Sequence, residues 1–227
     1  MRKTFHEKLD EIKEDLIVMG SIIQDRVNDS TNALLNADVE LAQKVIEGDD
    51  EVDDYDVMIE EKCMVIQAEH QPVAKDLRLI HSIYIIVIYL ERIGDICVSI
   101  SKLTRRLYLK EKKNLNKGIL DILSEMGNVV KIILDKALKA FKNKDVKLAA
   151  RLDKIDDTID ELQKTLYHKL YATHSKDENY IKLVSNVSLA SRYLERIGDN
   201  SVNIGERVIY YLTGDFSVIH SDMHSDI

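Results

Sequence analysis

The chain has 227 residues, of which 8 are Gly and 1 is Pro. That is too few turn-formers for a sandwich or barrel, which reverses direction every ~8–12 residues. Hydrophobic residues make up 45% and charged ones 32%, which supports a packed core and argues against global disorder. Lys and Arg number 32 against 40 Asp and Glu, a formal net charge of −8, so the basic footprint that nucleic acid requires is missing.

Long helices with few breaks are what remains. Phe5, Leu9, Ile12, Leu16, Met19, Ile23, Val27, Ala33 and Leu34 recur near helical spacing and predict a helix over 5–36. Asp38 is placed to cap a second helix over 39–69. Pro72 is expected just inside a third helix running to about 110, where a missing N–H is tolerated. The polar segment KKNLNKG, 112–118, reads as a link. Three further helices are predicted over 119–143, 146–173 and 177–212, and the aperiodic residues 213–227 as a flexible tail. The expected fold is all-α: two tandem, pseudo-symmetric, antiparallel three-helix bundles, 1–111 and 119–212, built from six long helices.

The two halves repeat one another. YLERIGD stands at 89–95 and again at 193–199, and nine of the twelve positions from Tyr89 match their counterparts. Earlier in each half the offset is 107: Met19-Gly20 matches Met126-Gly127, and Asp38-Val39 matches Asp145-Val146. Cys63 and Cys97 give no disulfide framework, so a reduced, cytosolic setting is expected. The longest apolar run, IYIIVIYL at 83–90, is too short for a bilayer, which takes ~20 residues. It makes the third helix apolar on all sides, which fits either a fully central helix or a homodimer or partner interface.

Acidic residues recur at i, i+4. Glu91 and Asp95 share one helical face, as do Glu195 and Asp199. The second helices carry Asp49 with Asp53, and Asp156 with Asp160, at the repeat offset of 107. Residues at one height of an antiparallel hairpin have a constant sum of numbers. Asp49 with Asp95, and Asp53 with Glu91, share a sum whose midpoint is the expected turn at Pro72. Asp156 with Asp199, and Asp160 with Glu195, share one whose midpoint lies within HSKDEN. Each half is therefore expected to bring two acidic pairs together. Like charges so close repel and call for protons, arginines or a metal. Arg92 and Arg196 follow the glutamates directly and are expected to point elsewhere. Oxygen-only ligands suit Mg, Ca, Mn or Fe. Gly94 and Gly198, inside the acidic pairs, fit either tight helix packing or room beside an ion.

ERIGD occurring twice, Gly-Asp-x-x-Val-Asp at 48–53, QPVAKDLR at 71–78 and Met-Gly at 19–20 and 126–127 together resemble the PhoU family, regulators of bacterial phosphate uptake. The resemblance covers residues 5–212 and implies two similar three-helix bundles. It implies metal held by Asp49, Asp53, Glu91 and Asp95, and by Asp156, Asp160, Glu195 and Asp199. The metal would be divalent or trivalent ions, in some members multi-iron clusters, with Zn, Mn, Mg or Ca as alternatives. It also implies a non-enzymatic, cytoplasmic adaptor brought to the inner face of the membrane by its partners, while a homodimer is expected from the apolar run at 83–90. Its partners would be the ATPase of the phosphate ABC transporter and a phosphate-sensing histidine kinase. The second half departs from the pattern, with HSKDENYIKL in place of QPVAKDLRLI and no Gly before its DDTID.

Rival patterns are weaker. A catalytic di-iron bundle uses Glu-x-x-His, which the chain lacks, while a carboxylate-bridged hydrolytic metal enzyme and a metal-free helical scaffold stay open as alternatives. An EF-hand starting at Asp49 would need Gly where Asp54 stands. His81 is the one candidate for phosphotransfer on a helix, but it opens an apolar stretch and is expected to be partly buried. His220 and His224 fall in the tail, where a structural or incidental role is expected.

Overall fold

A computed structural model describes residues 2–110, 115–172, 177–215 and 217. Every regular element among them is helical: α1 (Arg2–Asn36), α2 (Val39–Glu47), α3 (Asp50–His70), α4 (Ala74–Arg105, continued by a π-helical turn at Arg106–Lys110), α5 (Lys117–Asn143), α6 (Val146–Ala149), α7 (Leu152–Tyr171) and α8 (Glu178–Thr213). Two bundles of three helical columns result. Residues 112–114 of the expected link and most of the expected tail lie outside the described residues, and the rest of the link, 115–118, leads into α5.

The predicted cap at Asp38 forms, and three further helices are capped in the same way. Asp38 Oδ1 accepts from the Leu41 N–H at 2.8 Å, and its repeat counterpart Asp145 accepts from Leu148 at 3.0 Å. Asn116 and Asp177 do the same for α5 and α8. These oxygens satisfy N–H groups that a helix start leaves unpaired. Pro72 corrects an expectation, because it lies in the α3–α4 turn rather than inside α4. Gln71 before it is left-handed (φ 47°) and ends α3, and an extended Val73 begins α4. Proline disfavours the right-handed helical region for the residue that precedes it.

The second column of each half is not one helix. In the first half it breaks at Gly48–Asp49. The Arg26 guanidinium donates to the Val45 carbonyl at 3.0 Å and to the Gly48 carbonyl, capturing the end of α2. In the second half the break falls at Ala150–Arg151. There Gly205 of α8 leaves room for Leu152, whose Cδ1 would crowd a Cβ at 205.

Ion pairs fix the direction of α3 against α1. Lys8 meets Glu69, while Lys62 meets Glu11 at 2.6 Å and Asp15 at 2.7 Å, so one number falls as the other rises. The halves join along two seams, α1 with α5 and α4 with α8. At the first seam the two Met-Gly pairs are explained. A Cβ at Gly20 would meet Leu138, and one at Gly127 would collide with Thr31, so α1 and α5 cross closely and antiparallel. Met19, Ile23, Leu90, Met126 and Leu194 belong to one hydrophobic core that runs through both halves.

The α4–α8 seam accounts for IYIIVIYL. Ile83, Ile86, Val87 and Leu90 are fully buried, and Tyr84, Ile85, Ile88 and Tyr89 are half-buried. The stretch is the centre of the chain's own core, so it is no longer a reason to expect a second copy. Among the described residues no helix is long and apolar enough to cross a membrane.

Candidate metal centre

The break at Gly48 has a chemical consequence. Asp49 becomes the N-cap position of α3 but makes no side-chain cap bond, which leaves its carboxylate to face α4. There it is half-buried and held above its ordinary pKa, by burial first and then by Asp53 and Asp95. Arg26 and Lys102 oppose the shift. Glu91 on α4 is also half-buried and raised, by burial and then by Asp95, Asp56 and Asp53. The four expected carboxylates of the first half therefore lie within reach of one another's fields. Both pairings inferred from residue numbers, Asp49 with Asp95 and Asp53 with Glu91, are present.

The second half repeats the arrangement. Asp156 is half-buried and pushed up to about 7, by burial first and then by Asp199, Asp160, Glu195 and Asp153. Glu195 is raised by burial, Asp199 and Asp160. In both halves the inner members, Asp49 with Glu91 and Asp156 with Glu195, are half-buried. The outer members, Asp53 with Asp95 and Asp160 with Asp199, are exposed. Asp156 Oδ1 is buried with no hydrogen-bond partner, a state that a cation would relieve.

The donor set fits a hard cation, since it offers only oxygens and one of them is orphaned. It is not a preformed cage. Among the described residues, no three His, Cys, Asp or Glu side chains are gathered closely enough to hold one ion. A cation would have to draw the carboxylates in.

The two glycines differ in kind. A Cβ at Gly94 would meet Ile23 Cδ1 at 3.3 Å and Val52 Cγ1 at 3.4 Å, which is packing. A Cβ at Gly198 would collide with Asp156 Oδ1 and come within 2.7 Å of Ile159 Cδ1. Gly198 thus makes room for the orphaned carboxylate.

Several carboxylates escaped the sequence reading. Asp56 joins the first cluster, raised by burial, Glu60 and Asp53. Its spacing was a usable sign, three residues after Asp53 and seven after Asp49 on the same face. At the repeat offset Asp56 becomes Gln163, and the second half adds Asp153 and Asp157 instead, around a pocket of about 420 Å3 with Asp156, Asp199 and Asn203. Arg92 and Arg196 correct a second expectation. Both reach a pocket beside Asp49 and Asp95, because α8 lies against α4 and delivers Arg196 to the first half's acidic patch.

The PhoU domain family matches the chain twice, at 16–104 and 123–208, one match in each half. The chain belongs to the PhoU family. Relatives of this PhoU-family chain include a protein of Pseudomonas aeruginosa named "Phosphate-specific transport system accessory protein PhoU homolog". It is 40% identical over 211 residues, 92% of this chain and 86% of that protein. The Escherichia coli protein of that name, without "homolog", is 32% identical over 219 residues, 96% of this chain and 89% of its own length. The crystal structure of PhoU from Pseudomonas aeruginosa superposes with a TM-score of 0.87 at 37% identity, covering 93% of this chain and all (100%) of that one. That of the "phosphate transport system regulatory protein PhoU" from Streptococcus pneumoniae gives 0.83 at 27% identity, covering 93% and 98%. An all-α pair of pseudo-symmetric bundles is therefore the fold of this chain.

His81 is exposed on α4, not partly buried, and its pKa is held low by local desolvation and by Arg207. Both cysteines are buried and free, with thiols pushed up to about 12, so neither is a ready nucleophile. His220 and His224 lie outside the described residues.

Proposed function

We propose that this protein is a regulatory adaptor of phosphate transport that restrains phosphate uptake and the phosphate-starvation response. The observation that carries the reading is the 40% identity over 92% of the chain to a phosphate-transport accessory protein. In this reading the adaptor works at the inner face of the membrane, on the ATPase of the phosphate ABC transporter and on a phosphate-sensing histidine kinase. It has no catalytic role. Exposed carboxylates on α3 and α7 suit basic patches on such partners and would make the encounters salt-sensitive. A homodimer is part of the proposal, and α3 offers a surface for it in Val57, Met64 and Val65, which are exposed and share one face.

Divalent or trivalent cations belong to the proposal too, with iron, Mn, Mg, Ca or Zn as the candidates. Asp49, Asp53, Glu91 and Asp95 would hold one group, and Asp156, Asp160, Glu195 and Asp199 the other. A bound cation would supply positive charge that ties α3 to α4 and α7 to α8. It would also stabilise the fold by mass action, about 2.7 kcal/mol at a hundredfold excess over Kd. What the chain itself does is set the carboxylates on adjacent helices, keep the inner ones half-buried, and clear Gly198 for Asp156.

The test is genetic. A deletion strain grown in high phosphate is expected to express starvation genes constitutively, and the wild-type gene to restore repression. Normal repression in the deletion strain would overturn the reading.

A further inference from the structure

The two halves have diverged at the edge of their acidic clusters. A pocket of about 250 Å3 at the α4–α8 seam is lined by Asp49, Asp95, Ser99, Arg92, Lys102 and Arg196. At the repeat offset of 104, Lys102 becomes Glu206 and Ser99 becomes Asn203. Arg26, which lies beside Asp49, becomes Ile133 at the offset of 107. The second half's pocket carries only carboxylates and Asn203 as polar lining. So the first half carries cations where the second does not.

Among the described residues, Arg92, Lys102 and Arg196 make no close ion pair, and they act at longer range on Glu91, Asp49 and Glu195. Arg92 is steadied by stacking over the Tyr89 ring, 5.7 Å from its centroid. Two guanidiniums, an ammonium and a hydroxyl converging on one pocket are donors for an oxyanion. Asp49 and Asp95 select which oxyanion. An ionised carboxylate only accepts, so it repels an anion that has no proton to give. Inorganic phosphate keeps at least one O–H at neutral pH. Sulfate has none, and a phosphate monoester loses its last proton near pH 6.

We propose that this seam pocket binds inorganic phosphate, with Arg92, Lys102, Arg196 and Ser99 donating to its oxygens and Asp49 or Asp95 accepting its O–H. Both halves contribute, since Arg196 comes from the second, so phosphate would brace the α4–α8 seam. Asp49 and Asp95 are shared with the proposed cation group, so this mode of phosphate binding belongs to the metal-free protein, which is why the test is run in chelator. The site deepens the regulatory reading by naming a ligand, but its test is independent of that reading, because binding is measured on purified protein and repression in cells.

The experiment is equilibrium dialysis of the full chain with radiolabelled inorganic phosphate at pH 7 in chelator, with sulfate and phenyl phosphate as competitors. One saturable site is expected, with sulfate and phenyl phosphate at least about tenfold weaker. Lys102→Gln and Arg196→Gln are each expected to weaken phosphate at least about tenfold. Asp49→Asn is expected to bring sulfate to within about threefold of phosphate, an outcome that simple damage to the site does not produce. Glu206→Gln, in the other half, is expected to change nothing. The proposal is overturned if no saturable binding is found up to about 1 mM phosphate. It is also overturned if Lys102→Gln binds as the parent does, or if sulfate competes equally with phosphate in the parent. Lys102 and Arg196 are both exposed, so both variants are expected to keep the fold.

Discussion

Replacing Asp156 with Asn separates the carboxylate's charge from its shape. The folded protein raises this group from 3.8 to about 7, by burial first and then by the charges of Asp199, Asp160, Glu195 and Asp153. The folded state therefore holds the proton more tightly than the unfolded one. The stability that depends on this is complete below about pH 4, falls as pH rises, and is gone above about 7. Each tenfold change in acidity is worth about 1.36 kcal/mol, so the full span is about 4 kcal/mol. Solvent reaches much of this half-buried group and screens its neighbours, which reduces the figure to about 2 kcal/mol. In chelator at pH 8, Asp156→Asn is thus expected to be more stable than the parent by about 2 kcal/mol, or roughly 4–8 °C in Tm. At pH 4 the two should coincide. Urea unfolding at both pH values measures it, and a variant no more stable than the parent at pH 8 would refute the reasoning.

Gly198→Ala is expected to destabilise by up to about 2 kcal/mol, because clashes with Asp156 and Ile159 outweigh the helix-propensity gain, whereas Gly94→Ala is expected to be neutral or stabilising by up to about 1 kcal/mol; equal effects in parallel denaturation curves would contradict the distinction. Arg26→Ala leaves the Val45 and Gly48 carbonyls without their donor and is expected to lower stability by about 1–3 kcal/mol, with faster hydrogen exchange confined to the α2–α3 break. Asp38→Ala and Asp145→Ala each remove a helix cap worth about 1 kcal/mol, and the double variant should lose the sum because the two caps belong to different halves.

The sequence carried the architecture because its signals are periodic and repeated. Heptad-like spacing from Phe5 to Leu34 gave α1, and identical caps at Asp38 and Asp145 gave two further starts. The carboxylate pairings followed from helix arithmetic alone. Other features depend on contacts between distant segments, which no local pattern records. The break at Gly48 rests on Arg26, 22 residues earlier, and the one at Ala150 has no glycine or proline to mark it. The run IYIIVIYL fits either a central helix or a partner interface, and only the packing of α8 on α4 shows it to be central. Arg196 reaches Asp49 and Asp95 through the α4–α8 seam, which adjacency to Glu195 could not suggest. The difference between Gly94 and Gly198 likewise lies in their neighbours, Val52 in one case and Asp156 in the other.

The central claim is that the eight carboxylates hold cations in two groups. It is tested most directly by elemental analysis of protein purified without an affinity tag, comparing the parent with Asp49→Asn/Asp95→Asn and with Asp156→Asn/Asp199→Asn. The account predicts that each double variant loses the metal of its own half and keeps that of the other. An unchanged stoichiometry in both variants, or a parent that binds no metal when titrated with iron or Mn, would contradict it.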